Sequence, residues 1–123
     1  MDTNFIKTLQ ERITVNELDI DVVCSNFGDR ILLVVSQVQK FGTLMEVRCD
    51  PVLAGSSSHS FSVRTLLGKD EPEVHVFGRA IAGHLSLPTN TPLLLALGLR
   101  NHSPSLIPPL LKELEKLKMW EPI

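Results

Sequence analysis

Short stretches in which apolar and polar residues alternate fill the first half of the chain, each closed by a polar or glycine-bearing break. Residues 12–16 carry Ile13 and Val15 on one side, residues 19–25 carry Ile20, Val22 and Cys24 on one side, and Glu17-Leu18 can turn between them. A period of two over so few residues is that of a strand, so the two runs predict a hairpin. Asn26-Phe27-Gly28-Asp29 offers a second turn, after which residues 31–36 are apolar on both sides, and Gly42 leads into another run at 43–48. β-branched residues pack well on such a pleated surface, and the expectation is an antiparallel meander.

Residues 50–60 lose all periodicity and fill with small polar side chains, the composition of a mobile surface loop. A strand resumes at 61–67. The period then changes. In LLGKDEPEVHVF, Asp70 and Glu73 stand three apart before apolar residues at Val74, Phe77, Ile81 and Leu85, which is helical spacing. Asp70 is expected to cap the first turn while Glu73 reaches back to it, and Pro72 lies where its missing donor costs little. Both acids would sit at the positive end of the helix dipole, so the charged centre reads as a structural joint. Residues 93–99 form a further strand, apolar on both sides, and 108–120 an amphipathic helix with Leu110, Leu111, Leu114 and Leu117 inward. The predicted class is α+β: an antiparallel sheet of about six strands with two main helices packed on one face.

A chain of 123 residues fits one domain, 1–123, that can bury a core without disulfide or metal. Apolar residues at 43% and charged residues at 21% describe a folding sequence. A formal charge of −2, with basic residues scattered along the chain, provides no field for a phosphate backbone or an anionic lipid surface, so neither nucleic acid nor membrane is expected as a partner. The first residues lack a basic, then apolar, export signal, which leads to the expectation of a cytoplasmic protein that can also be nuclear. Cys24 and Cys49 fall in apolar strands as free thiols.

The side chains that could carry chemistry do not assemble. His75 and His84 are nine apart and point from opposite sides of one helix, so they cannot share a metal, and His59 and His102 have no partner at ligand spacing. Ser56, Ser57, Ser58 and His59 lie together without the strained elbow that nucleophilic catalysis needs. Gly68-Lys69 lacks the flanking residues of a phosphate loop. No cofactor, metal or enzymatic activity is expected. Gly78 and Gly83, in the middle of a helix, suggest close approach to the sheet or to a partner, with packing the preferred explanation.

The doubly apolar strands are the stronger signal. Two helices cover one face of such a sheet, yet Ile31, Leu33 and Val35 alternate with Leu32 and Val34, and Leu93, Leu95 and Leu97 alternate with Leu94 and Ala96. An apolar second face predicts a sheet-on-sheet dimer, homo or hetero, and Ile31, Leu33, Val35, Leu93, Leu95 and Leu97 are the expected contact residues. The competing explanation is an N-terminal segment, residues 4–10, folded over that face.

Several of these stretches resemble the proteasome assembly chaperone 3 family. The resemblance rests on Val22-Val23-Cys24, Phe27, the strand at 31–37, Lys40 followed by Gly42-Thr43-Leu44, LLGKDEP with His75-Val76-Phe77, and a closing helix with Trp120 near its end. It covers most of the chain. It implies a non-catalytic α+β protein that pairs with a proteasome assembly chaperone 4-like subunit, binds an alpha-type subunit while the alpha ring of the 20S proteasome forms, and leaves before maturation; a homodimer also suits such a fold. Pro108-Pro109 departs from the family pattern, because the last helix would already be under way there. Composition alone also admits a roadblock or longin-type adaptor that scaffolds a small-GTPase regulator.

Overall fold

The computed structural model describes residues 7–37, 42–50, 60–85, 91–100 and 103–117. Along them run β1 (Lys7–Val15), β2 (Leu18–Asn26), β3 (Ile31–Ser36), β4 (Thr43–Asp50), β5 (Ser60–Leu67), helix α1 (Pro72–Leu85), β6 (Leu93–Gly98) and, after a 3-10 turn at Pro104–Leu106, helix α2 (Ile107–Leu117). The α+β class, the six strands and the two helices are as expected from the pattern. The serine and histidine cluster at 56–59, His102 and Trp120 lie outside the described residues.

The β1–β2 turn falls at Asn16 and Glu17, whose φ angles of 50° and 66° are both positive, the requirement of a two-residue turn that follows the strand twist. Val15 pairs with Leu18 across it, so the turn sits one residue earlier than the sequence suggests. β1 also begins earlier, at Lys7, a start the sequence hides because Glu11, paired with Val22, falls on the apolar side and interrupts the alternation there. Residues 7–10 thus extend the sheet in its own plane and do not fold over a face, whereas residues 4–6 lie outside the described ones.

The strand order is β1-β2-β3-β6-β4-β5. All pairs are antiparallel except β3 with β6, which is parallel. The sheet is mostly antiparallel, as expected, and the late strand is the cause of the one parallel pair. The chain leaves a gap between β3 and β4, and β6 enters it after α1 has crossed back from the β5 edge. Gly42, on the way from β3 to β4, passes over the end of β6 at φ +72°, where a Cβ would collide with the Leu97 carbonyl oxygen. Only glycine fits a backbone crossing that close. Beside it the buried Gln37 ties this crossing to the end of β6: its backbone N–H donates to the Gly98 carbonyl at 2.9 Å and its Oε1 accepts from the Arg100 N–H at 2.9 Å.

Both helices cover the same face. Val74, Phe77 and Ile81 of α1 and Leu110 and Leu114 of α2 join one buried cluster with Val22, Leu33, Met45 and Leu95. α1 starts at Pro72, and the Glu71 carbonyl accepts the first N–H groups, those of Val74 at 3.1 Å and His75 at 3.3 Å. Glu71 is therefore the capping position and proline the first helical residue, its preferred place. This corrects the assignment of Asp70 and Glu73 as a reciprocal cap. Asp70 sits one residue too early, and its Oδ1 instead accepts from the Thr65 hydroxyl at 3.0 Å and lies 2.6 Å from His75 Nε2. At the last helix, the 3-10 turn accommodates the unusual prolines: Pro108 and Pro109 fall in the first turn of α2, where N–H groups have no helical acceptor anyway.

Candidate interaction face

Strand register determines what lies on the face away from the helices. Gln10, Val23, Val34, Ala96 and Leu44 are successive partners across β1, β2, β3, β6 and β4, and so form one transverse row. The neighbouring row is Thr8, Ser25, Leu32, Leu94, Glu46 and Arg64. The centre of the open face is thus Val23, Leu32, Val34, Leu44, Leu94 and Ala96. Ala96 is buried among its neighbours and the other five are half-buried.

Charged pairs flank this apolar strip. On the β1–β2 side, Arg12 Nε donates to Asp21 Oδ1 at 2.8 Å, and this hydrogen bond, with the accompanying attraction, raises the guanidinium pKa further. On the β4–β5 side, Glu46 receives Arg48 through both oxygens at 3.2 and 3.3 Å, with Arg64 at 3.6 Å. An apolar centre inside a polar, charged margin is the anatomy of a protein–protein contact surface. Ser25 is also buried at the side of the strip and satisfied by Thr8 Oγ1 at 2.9 Å.

The phase is the reverse of the one read from the sequence. Ile31, Leu33, Val35, Leu93, Leu95 and Leu97, assigned there to the dimer contact, all lie in the core beneath the helices, with exposures of 4% or less. They cannot meet a second sheet. Their alternate neighbours Leu32, Val34, Leu94 and Ala96 hold the open side, joined by Val23 and Leu44, which the sequence reading did not select. The signal was present in β2, where Asp21 and Ser25 mark the side opposite Val22 and Cys24, and the pairing of Val22 with Val35 carries that distinction to β3.

The two described histidines, His75 and His84, are engaged separately. His75 meets Asp70 and Thr65 at the start of α1, while His84 Nε2 approaches Glu115 Oε2 of α2 at 3.7 Å. Among the described residues no three His, Cys, Asp or Glu side chains come together as a metal site. Both cysteines are free and buried, and burial pushes the Cys24 thiol up to about 11. No helix among the described residues is long and apolar enough to cross a membrane.

Among the described residues, fold and face together define a small sheet-and-helix module with one helix-covered side and one open apolar side. Comparison with known proteins supplies its family. The family model of proteasome assembly chaperone 3 matches residues 33–117. The chain is 35% identical over 117 residues to the proteasome assembly chaperone 3 of Nematostella vectensis, covering 89% of this chain and 87% of that protein. It is 30% identical over 120 residues to that of Homo sapiens, covering 97% and 98% of the two chains. A chain in the crystal structure of a chaperone complex for yeast 20S proteasome assembly shares the fold, with a TM-score of 0.72, 18% identity and coverage of 95% of this chain and 99% of that one. The chain belongs to the proteasome assembly chaperone 3 family. The adaptor alternative, which rested on composition, has no support beside this match.

Proposed function

We propose that this protein is a non-catalytic chaperone of 20S proteasome assembly that acts as a dimer, pairs through its open sheet face with a proteasome assembly chaperone 4-like subunit, and holds an alpha-type subunit while the alpha ring forms. One observation carries this reading. A chain of an assembly-chaperone family presents Val23, Leu32, Val34, Leu44 and Leu94 half-buried on a sheet face with no helix over it among the described residues. Two such faces bury each other as a sandwich, with strand directions within about 30°. A second copy of the chain could pair in the same way. Because a chaperone that departs must release its client, the surface that meets the alpha-type subunit is polar and modest in area, unlike the apolar pairing face. Its place of action is the cytoplasm, extending to the nucleus.

Depletion of the protein from cells should slow ring formation and accumulate free alpha-type subunits, and re-expression should reverse both. The doubly substituted Val34→Asp, Leu94→Asp protein should fail to rescue although it folds. Normal proteasome assembly after depletion would refute the assembly role. Full rescue by the double variant would refute only the pairing face.

A further inference from the structure

Among the described residues the sheet has two edges, β1 and β5, and they are not equally protected. β1, KTLQERITV, carries charges along its length, whereas β5, SFSVRTLL, has a single charge at Arg64 and no proline. Natural sheets usually blunt a free edge with charge or proline, because its unpaired N–H and C=O groups can pair with another strand. β5 pairs with β4 on one side, with a register shift opposite Leu44 and Met45, and closes the strand order on the other.

Helix α1 runs along this edge. His75 Nε2 lies 3.0 Å from Thr65 Oγ1, and a Cβ on Gly83 would lie 3.5 Å from Phe61 Cε2. Residues four apart share a helix face, so Arg79, between those two fixed points, stands level with Val63. His75, Arg79 and Gly83 therefore form a wall beside half-buried Thr65, Val63 and Phe61.

Two details show that the wall is open. At Gly78 packing explains the glycine, since a Cβ would meet the Met45 sulfur at 2.8 Å; at Gly83 the Phe61 contact would be ordinary and the position is exposed. An exposed glycine inside a helix costs about 1 kcal/mol relative to alanine, and here it leaves the end of the groove above Phe61 clear. The middle is cationic: Arg79 is exposed without an ion pair among the described residues, and Arg64 shares Glu46 with Arg48.

We propose that the β5 edge and the flank of α1 form a groove that takes an extended acidic segment of a protein partner as an additional strand. Side chains of an added strand alternate between the two sheet faces. One carboxylate beside Val63 would reach Arg79, its neighbour in sequence would reach Arg64 on the other face, and an apolar side chain two residues from the first would occupy the space over Phe61 that Gly83 leaves. Backbone pairing would supply binding and these three positions selectivity, the division of labour of strand addition in general. The groove borders the open apolar face, sharing Arg64 with its charged margin, and does not depend on the pairing proposed there.

The test uses the full chain, alone or with the partner it co-purifies with, and a capped peptide whose core is leucine-threonine-glutamate-glutamate-threonine-leucine, a palindrome that fits in either direction. Fluorescence anisotropy should give saturable binding, and amide shifts should concentrate on residues 60–67 and Arg79. Arg79→Glu and Gly83→Leu should each weaken binding at least tenfold while leaving the far-UV spectrum unchanged, and a lysine-for-glutamate peptide should not bind. If Arg79→Glu fails to fold, Arg79→Ala takes its place with the same expectation. Absence of saturation at millimolar peptide, shifts on β1 or on the open face, or loss on the arginine variant with Gly83→Leu unaffected would each overturn the proposal. So would slow exchange of the outward β5 amides in the free protein, which would mean that the chain covers this edge itself.

Discussion

A buried thiol offers the clearest residue-scale test of the core. Cys24 is 2% exposed on the helix side of β2, and desolvation holds its pKa at about 11 against the ordinary value of 9.0. Well below pH 9 the thiol is protonated in both folded and unfolded chains and adds no pH dependence. Between the two values the unfolded chain has lost a proton that the folded chain keeps, so stability falls as pH rises, by at most about 1.4 kcal/mol per unit for this group. Urea midpoints measured from pH 8 to pH 11 should therefore decline more steeply for the native chain than for Cys24→Ala, the comparison cancelling the titration of lysines. Parallel declines would mean that water reaches the thiol. The same residue illustrates what sequence can establish: an apolar neighbourhood in a strand predicted a free, hydrophobe-like cysteine, and the structure places it so.

At the scale of elements, the joint between β5 and α1 depends on a small triangle of side chains. Thr65 Oγ1 stands 3.0 Å from both Asp70 Oδ1 and His75 Nε2, with Nε2 2.6 Å from the same carboxylate oxygen. A carboxylate has no proton to give, so Nε2 bears the hydrogen and Asp70 accepts from both partners. This links the last residues of the edge strand to the first turn of the helix. A double-mutant cycle of Thr65→Val and Asp70→Ala should show a coupling of about 0.5–1 kcal/mol, whereas a carboxylate acting as a helix cap would be indifferent to Thr65. Zero coupling would return the cap to consideration. Sequence spacing identified a helix start with Pro72 in its first turn, because the apolar stripe and the proline are local signals. It could not identify the partners of Asp70, since Thr65 comes from a strand whose position relative to α1 is set by packing. For the same reason the parallel pairing of β6 with β3 was hidden: no local feature of residues 93–98 states which gap in the sheet they enter. The composition of the open face was partly legible. Both faces of β3 and β6 are apolar in sequence, which predicts an uncovered side, but choosing between odd and even positions required carrying the polar markers Asp21 and Ser25 across the β2–β3 turn.

For the whole molecule, the two phases of β3 and β6 should respond in opposite ways to charge. Leu33 and Leu95 are fully buried beneath the helices. An aspartate at either site would have no ion partner and no path to water, a penalty of several kcal/mol against a total stability of about 5–15 kcal/mol. Val34 and Leu94 face the open side and are half-buried within one chain, so a carboxylate there can still reach solvent. It loses that access only when a second sheet closes over it. Leu33→Asp should therefore give an unfolded or aggregated chain, while Val34→Asp and Leu94→Asp should stay soluble and folded. Light scattering at micromolar concentration should find the native chain dimeric, alone or with a co-expressed chaperone 4-like subunit, and the Val34 and Leu94 variants monomeric. A native chain that remains monomeric under both conditions would rule out sheet-on-sheet pairing. If charge at either phase unfolds the protein, the open face belongs to the interior of the subunit and the partner must bind elsewhere. A dimer that survives both open-face substitutions would point to association through another surface, with the β5 edge the first to test.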